Sequence, residues 1–356
     1  MGFHYRVEEI IPWLRKDTKM KEANKTVKRG IPKTWGIIAI VTVAVILAAI
    51  ILLHHNPLAD QKEEWIKKII ACAVLLCGVV GATTLYDKIV ILPVELWQNR
   101  KLIWKLAKND FKTRYAGSTM GRVWAFVQPV VTVLMYYFVF GVIFPAKAQL
   151  VASGIEAPYV LWLTAGLVPW FYFSEAWGNG TSALIEYNYL VKQVVFKISI
   201  LPIIKIIAAT FVHVAFAGIM LVLYFCYGYA PAIYLIQLVY FSFCMFILVL
   251  ALSYTTCAVV VFFKDLNQII QIILQVGMWA TPILWDLSYL PEKYRIFFKL
   301  NPVYYIVNGY RSALFERQWF WEDFYSTMFF WITTVVIFGI GTLVFKRLKV
   351  HFADVL

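Results

Sequence analysis

The chain has 356 residues, of which 62% are hydrophobic, 17% aromatic and 15% charged, and its formal net charge is +13. Soluble domains carry roughly 25% charged and about 45–50% apolar residues, so this composition excludes a soluble globular protein and indicates a multi-spanning membrane protein. The positive charge does not indicate nucleic acid, because Lys and Arg gather beside apolar runs, as anionic headgroups and the positive-inside rule require.

Residues 1–35 are polar and basic, with Arg15, Lys16, Lys19, Lys21, Lys25, Lys28, Arg29 and Lys33, and are read as a cytoplasmic tail that sets orientation. This polar segment precedes the first apolar run, so no cleavable signal peptide is expected. Trp35 to Leu53 is almost wholly apolar, enough to cross ~30 Å at ~1.5 Å per residue. His54 to Lys68 is a polar connection, and a second apolar run goes from Ile69 to about Leu85. Together they predict an in–out–in hairpin that delivers the next segment to the cytoplasmic face.

That segment, 95–116, has helical periodicity. Lys101, Lys105, Lys108 and Lys112 fall in one arc, and Leu96, Leu102, Ile103, Leu106, Ala107 and Phe111 cover the other side. A basic face against an apolar face, just before a membrane entry, places a helix in the cytoplasmic headgroup layer. An ordinary surface helix of a soluble domain is the alternative, and the apolar chain around it argues against that.

Beyond Gly121 the apolar runs predict six spans, at about 122–144, 159–181, 200–227, 232–263, 266–284 and 324–345. Residues 183–197 are too polar to span and are cytoplasmic by parity. Residues 285–321, with Pro291, Asn301, Pro302 and Gly309, hold only short apolar pieces. Irregular backbone at membrane depth needs a protein or water cover, so this stretch is read as an outer pair of short re-entrant or interfacial helices, with an extracellular loop as the alternative. Lys346-Arg347-Leu348-Lys349 is a basic stop that leaves the C-terminus inside, like the N-terminus. The predicted fold is therefore an all-α integral membrane protein, with an N-terminal unit at 1–94 and a six-span unit at 95–356.

Catalytic motifs are missing. There is no GxxxxGK[ST] loop for ATP, no loop pair of carboxylates suited to a sugar transferase, and no GxSxG. Cys72, Cys77, Cys226, Cys244 and Cys257 lie in apolar runs, and the histidines form no ligand constellation. No catalytic, cofactor or metal residue is predicted. Glu175, Lys205 and His213 are the ionisable groups within spans, and Glu175 is read as a structural group near the inner headgroups. Among the aromatics, most serve as interfacial belt or packing. A subset of Tyr136, Tyr137, Phe140, Trp170, Phe171, Tyr172 and Trp279 is expected along a glycan path, because aromatic faces suit the C–H faces of sugar rings.

From Lys101 onward the chain resembles the membrane permease subunits of ABC exporters for lipid-linked polysaccharides, a family that includes teichoic-acid, O-antigen and capsule exporters. The residues that carry this are Asp110-Phe111-Lys112 with Arg114-Tyr115, Gly117-Ser118, Gly121 and Trp124 leading to Pro129, and Leu167-Val168-Pro169-Trp170. Asn188 with Leu190-Val191-Lys192, Leu201-Pro202, Lys264-Asp265-Leu266 and Thr281-Pro282-Ile283 follow. Then come Asn301-Pro302 with Tyr304-Tyr305, Gly309-Tyr310-Arg311, and the ending Phe345-Lys346-Arg347-Leu348-Lys349 with Phe352-Ala353-Asp354. Lys197 departs from the Pro common at that place, and the first ~95 residues lie outside the six-span unit.

The resemblance implies a homodimeric, channel-forming permease in the bacterial cytoplasmic membrane. It would move an undecaprenyl-diphosphate-type polysaccharide or teichoic acid outward, with two copies of a cytosolic ATPase subunit using ATP and Mg. Lys108, Asp110, Phe111, Lys112, Arg114 and Tyr115, with Glu186, Tyr187, Asn188 and Lys192, are then expected to meet the ATPase. Asn301, Pro302, Tyr304, Tyr305 and Arg311 are expected at an outer gate. A drug-efflux permease of the same class is the alternative. A glycan polymerase or transferase is disfavoured by the missing carboxylate pair, and an ion-coupled carrier by the scarcity of intramembrane charge.

Overall fold

The computed structural model describes residues 33–53, 61–84, 86, 90–114, 120–143, 149–150, 156–192 and 197–356. The basic tail, Tyr115 and Gly117-Ser118 lie outside the described residues. The regular structure described is helical apart from one antiparallel pair of two-residue strands, β1 (Gln149–Leu150) and β2 (Glu156–Ala157), in the connection after the first predicted span of the six.

Two helices, α1 (Lys33–Leu53) and α2 (Gln61–Thr84), pack on each other as the predicted hairpin. The amphipathic segment is divided into α3 (Ile91–Gln98) and α4 (Arg100–Thr113). The break is at Asn99, whose backbone (φ −98°, ψ 13°) leaves the helical region while its side-chain amide donates to the Glu95 carbonyl at 2.6 Å. Asparagine competes for backbone groups in this way and so favours helix ends over interiors. Next, Gly121 has φ +53°, a left-handed backbone that glycine adopts without a Cβ clash. It turns the chain into α5 (Trp124–Tyr137), which runs on into a π-helical stretch, Phe138–Ile143.

The main bundle follows: α6 (Tyr159–Glu186), a short α7 (Asn188–Val191), α8 (Leu201–Cys226), α9 (Gln237–Val260) and α10 (Leu266–Ala280). Then come two short helices, α11 (Glu292–Lys299) and α12 (Pro302–Arg311), the long α13 (Phe324–Leu348), and a terminal turn, α14 (Phe352–Val355). Among the described residues four helices are long and apolar enough to cross a membrane: Thr34–Leu53, Ile198–Cys226, Ile233–Val260 and Phe324–His351. The 28 residues of α6 have the length but a more mixed composition. The run predicted as a span at 266–284 is helical for only 15 residues, about 22 Å at ~1.5 Å per residue. It stops because Pro282 pushes the preceding Thr281 into extended backbone (φ −83°, ψ 130°).

α6 is the hub, touching α5, α8, α9, α10 and α12. Its Leu163, Leu167, Ala176 and Leu184 are wholly or almost wholly enclosed. The outward faces of the other long helices carry Val214, Val222, Val239, Phe243, Val335 and Ile340, all exposed, as expected where lipid rather than water is the solvent. Helix ends are locally encoded. Pro302 sits at the first turn of α12, behind an Asn301 cap whose side chain accepts from Val303 N at 3.0 Å. Lys346 and Arg347 occupy the last turn of α13, where the helix dipole favours cations.

At the α9–α13 contact a glycine, Gly341, lies against the backbone of the facing helix. A Cβ on Gly341 would lie 2.9 Å from the Ala251 carbonyl oxygen and 3.0 Å from Thr255 Oγ1. Backbone cannot yield as a side chain can, so Gly341→Leu is expected to cost about 1–3 kcal/mol by overpacking. A thermal midpoint in detergent unchanged from the wild type would refute this.

Candidate functional site

The first part of the site is a charged cluster at the end of the bundle where α6 finishes and α8 begins. Asp110, on the inward face of α4, is only 7% exposed. Lys205 Nζ lies 2.6 Å from Asp110 Oδ1 and 2.6 Å from Glu186 Oε2, and it sits 4.7 Å from the centre of the Tyr187 ring. The Tyr187 hydroxyl donates to Asp110 Oδ1, and Arg114 lies 3.5 Å from the other Asp110 oxygen. Arg114 also pairs with Glu175 of α6. Burial, and then the neighbouring Asp110 carboxylate, push the Tyr187 phenol well above its ordinary pKa, so it remains a neutral donor. Nearby, Ser199 Oγ donates to Glu95 Oε2 at 2.5 Å, which ties α3 to the start of α8. Phe111 packs edge-on against Phe211, 5.7 Å between centroids.

These contacts fasten α3 and α4 to α6 and α8 by charge as well as by apolar packing. They also sort the residues expected to meet a partner. Asp110 and the half-buried Phe111, Arg114 and Tyr187 face the bundle, whereas Lys108, Lys112, Glu186, Asn188 and Lys192 are exposed. Asp110 therefore acts within the chain's own bundle: it holds the helix that presents the lysines. Trp104 is exposed beside Lys108, whose ammonium lies 5.2 Å from its ring centre.

The second part is a polar seam. Gln268, Gln271 and Gln275 are all exposed and fall within about 60° of one face of α10, with the exposed Trp279 in line. Ile270 and Leu274 turn inward, 1% and 7% exposed. Beside this stripe runs a half-buried face of α6 formed by Ser174, Glu175, Gly178, Asn179 and Ser182. Ser182 donates to Asn267 Oδ1 at 3.3 Å, and a Cβ on Gly178 would stand 3.3 Å from Gln271 Nε2, so the two faces adjoin. The glutamine spacing is readable in the sequence, but the side of α10 that meets α6 is not.

The aromatics divide sharply. Trp170 and Tyr172 are 5% and 2% exposed, inside the core of the bundle. Tyr172 bonds Thr210 and stacks on His213 at 4.4 Å, while Trp170 packs on Phe173 and against Gly277. Both fill the core because α6 is surrounded by helices, so neither reaches a surface that could line a path. Phe171 is half-buried against Phe216, and Tyr136 stacks on Phe140 at 6.2 Å. Tyr137 and Trp279 remain exposed, at 44% and 63%.

At the opposite end, Arg311 is buried and donates to the carbonyls of Pro282 and Ile283, each at 2.8 Å. Its guanidinium lies 3.4 Å from the centre of the Trp162 ring. Asn301 Nδ2 donates to Thr281 Oγ1 at 3.0 Å. The Tyr305 hydroxyl hydrogen-bonds Thr327 Oγ1 at 2.8 Å and lies 3.3 Å from the Tyr240 hydroxyl. Asn301, Tyr305 and Arg311 thus bind the broken end of α10 and the start of α13 to α12, with Pro302 starting that helix and Tyr304 half-buried. Among the described residues no group of His, Cys, Asp and Glu is placed to hold a metal ion.

Comparison with known proteins adds the lineage. The chain is similar to the O-antigen export system permease protein RfbA of Myxococcus xanthus, 28% identical over 262 residues, covering 73% of this chain and 97% of that protein. It is 24% identical to the protein of the same name from Klebsiella pneumoniae, over 72% of this chain and 95% of that one. To the polysialic acid transport protein KpsM of Escherichia coli it is 24% identical, over 58% of this chain and 78% of the relative. These relatives are transport permeases, and the apolar helices agree with a membrane-embedded protein. The model of the ABC-2 type transporter family matches residues 101–315, more than half of the chain, which therefore belongs to that family.

Proposed function

We propose that the protein is the channel-forming permease of an exporter for a lipid-linked polysaccharide, of the undecaprenyl-diphosphate type, driven by ATP hydrolysis in a separate subunit. Two copies of the permease pair with two ATPase subunits, and the termini lie in the cytoplasm. The relatives named for O-antigen and polysialic acid transport support the substrate class.

The observation that carries this reading is the glutamine stripe. Three amides on an exposed helix face in an apolar chain have no place against hydrocarbon, because an unsatisfied polar group there costs several kcal/mol. Beside it on α10, Ile269, Ile272 and Ile273 form a plainly apolar strip. A helix polar along one edge and apolar along the next belongs at the border between lipid and a wet path. Facing a second copy, the seam of α6 and α10 supplies amides and hydroxyls for sugar hydroxyls, and a lateral opening for the lipid anchor. A long amphiphile needs such a continuous groove, because no closed pocket can enclose it.

Gln268→Leu, Gln271→Leu and Gln275→Leu combined are expected to cut surface polysaccharide at least tenfold in a strain depending on this permease, with lipid-linked polymer accumulating inside. Leucine suits a bilayer, so membrane insertion and chromatographic behaviour are expected to be normal. Full surface polysaccharide in the triple variant would mean that the stripe faces lipid, and the reading would fall.

A further inference from the structure

A cavity of ≈150 Å³ opens at the end of the bundle opposite Asp110, between α12, the start of α13 and residues 318–320. Its lining includes Lys299, Tyr304, Asn308 and Asp323, with Trp319 and Phe320 as aromatic walls. The helix after α12 is π-wound over Ser312–Glu316 and is ended by Arg317 at φ 56°, in the left-handed region. Non-glycine residues enter that region at a cost of order 1–3 kcal/mol, and such strain and π-turns concentrate at functional sites. Residues 318–320 follow, and the Phe320 N–H bonds Gln237 Oε1 at the start of α9 at 2.7 Å.

We propose that this cavity binds one pyranose ring of a saccharide. Its size is that of a void that takes a single six-membered ring, about 150 Å³. Its chemistry is mixed in the way a sugar requires. Lys299 is a donor only, the Asp323 carboxylate an acceptor only, and the Asn308 amide is both. Lys299 is exposed and Tyr304 and Asn308 are half-buried, so their polar groups can reach a ligand in the cavity. The aromatic walls suit the C–H face of the ring, and the polar groups suit its hydroxyls. A phosphate is disfavoured, because Lys299 is the only cation in the lining and Asp323 opposes it. A lipid tail is disfavoured by the polar lining. The site lies apart from the seam of α6 and α10, so it would hold the polymer's sugar at the far end of the molecule rather than conduct it.

The ligand class rests on the export reading, whereas binding is measured on the permease alone. The test is saturation-transfer NMR on the full chain in lipid nanodiscs, with methyl glycosides of glucose, galactose, mannose, rhamnose and N-acetylglucosamine as probes. Ring-proton transfer is expected from at least one glycoside, with affinity reduced at least tenfold in Asn308→Ala and Lys299→Ala, both on half-exposed or exposed positions that leave the core intact. Inorganic phosphate is expected not to compete. No transfer from any probe, equal transfer in both variants, or displacement by phosphate would each overturn the proposal. A permease that exports polysaccharide normally yet fails this test loses the cavity assignment and keeps its function.

Discussion

Replacing Lys205 by methionine is expected to be the most damaging single change in the bundle, lowering stability by about 3–5 kcal/mol, the cost of removing one partner from a buried ion pair. The side chains of Lys205 and Asp110 are 8% and 7% exposed, and each loses its main opposite charge if the other goes. Glu186 is 48% exposed and can turn to solvent, whereas the buried Asp110 is left with Arg114, at 3.5 Å, as its cation. Thermal unfolding in detergent reads the loss directly. Combining Lys205→Met with Asp110→Leu is expected to regain a large part of it, because an apolar pair of similar volume needs no solvation. If the double variant is as unstable as the sum of the two singles, the pair is uncoupled and the cluster does not fasten α4.

Arg311 carries the second large effect. Its two hydrogen bonds to the Pro282 and Ile283 carbonyls depend on a planar fork, and its stacking on Trp162 depends on a flat cation. Lysine has neither property. Charge-assisted hydrogen bonds contribute about 1.5–3 kcal/mol each, and a desolvated cation–π contact about 2. Arg311→Lys is accordingly expected to cost about 3 kcal/mol or more and to be at least as harmful as Arg311→Met, which removes the buried charge altogether. The measurement is again the thermal midpoint, joined by surface polysaccharide in cells. A wild-type midpoint for Arg311→Lys would show that the fork does not hold the turn at 281–284.

Lys205 stood out in the sequence as a charge within an apolar run, and Arg311 as part of a motif that carries the resemblance. Their partners did not. Lys205 meets Asp110, 95 positions away, and Arg311 meets carbonyls 28 and 29 positions away. Separation of that kind is set by packing, which no local pattern encodes. The same holds for Trp170 and Tyr172, whose burial follows from α6 being surrounded.

The amino-acid sequence by itself determined that the chain enters a membrane, that a lysine-faced helix precedes the main bundle, and that the motifs of a polysaccharide-exporter permease are present in order. Composition, period and motif are local or additive properties, and a linear reading captures them. Tertiary structure alone decided that Asp110 turns inward to Lys205, and that Gln268, Gln271 and Gln275 of α10 lie beside a polar face of α6. Each of these depends on which helices meet and at what rotation. That choice is made by side chains far apart in the chain competing for the same interior.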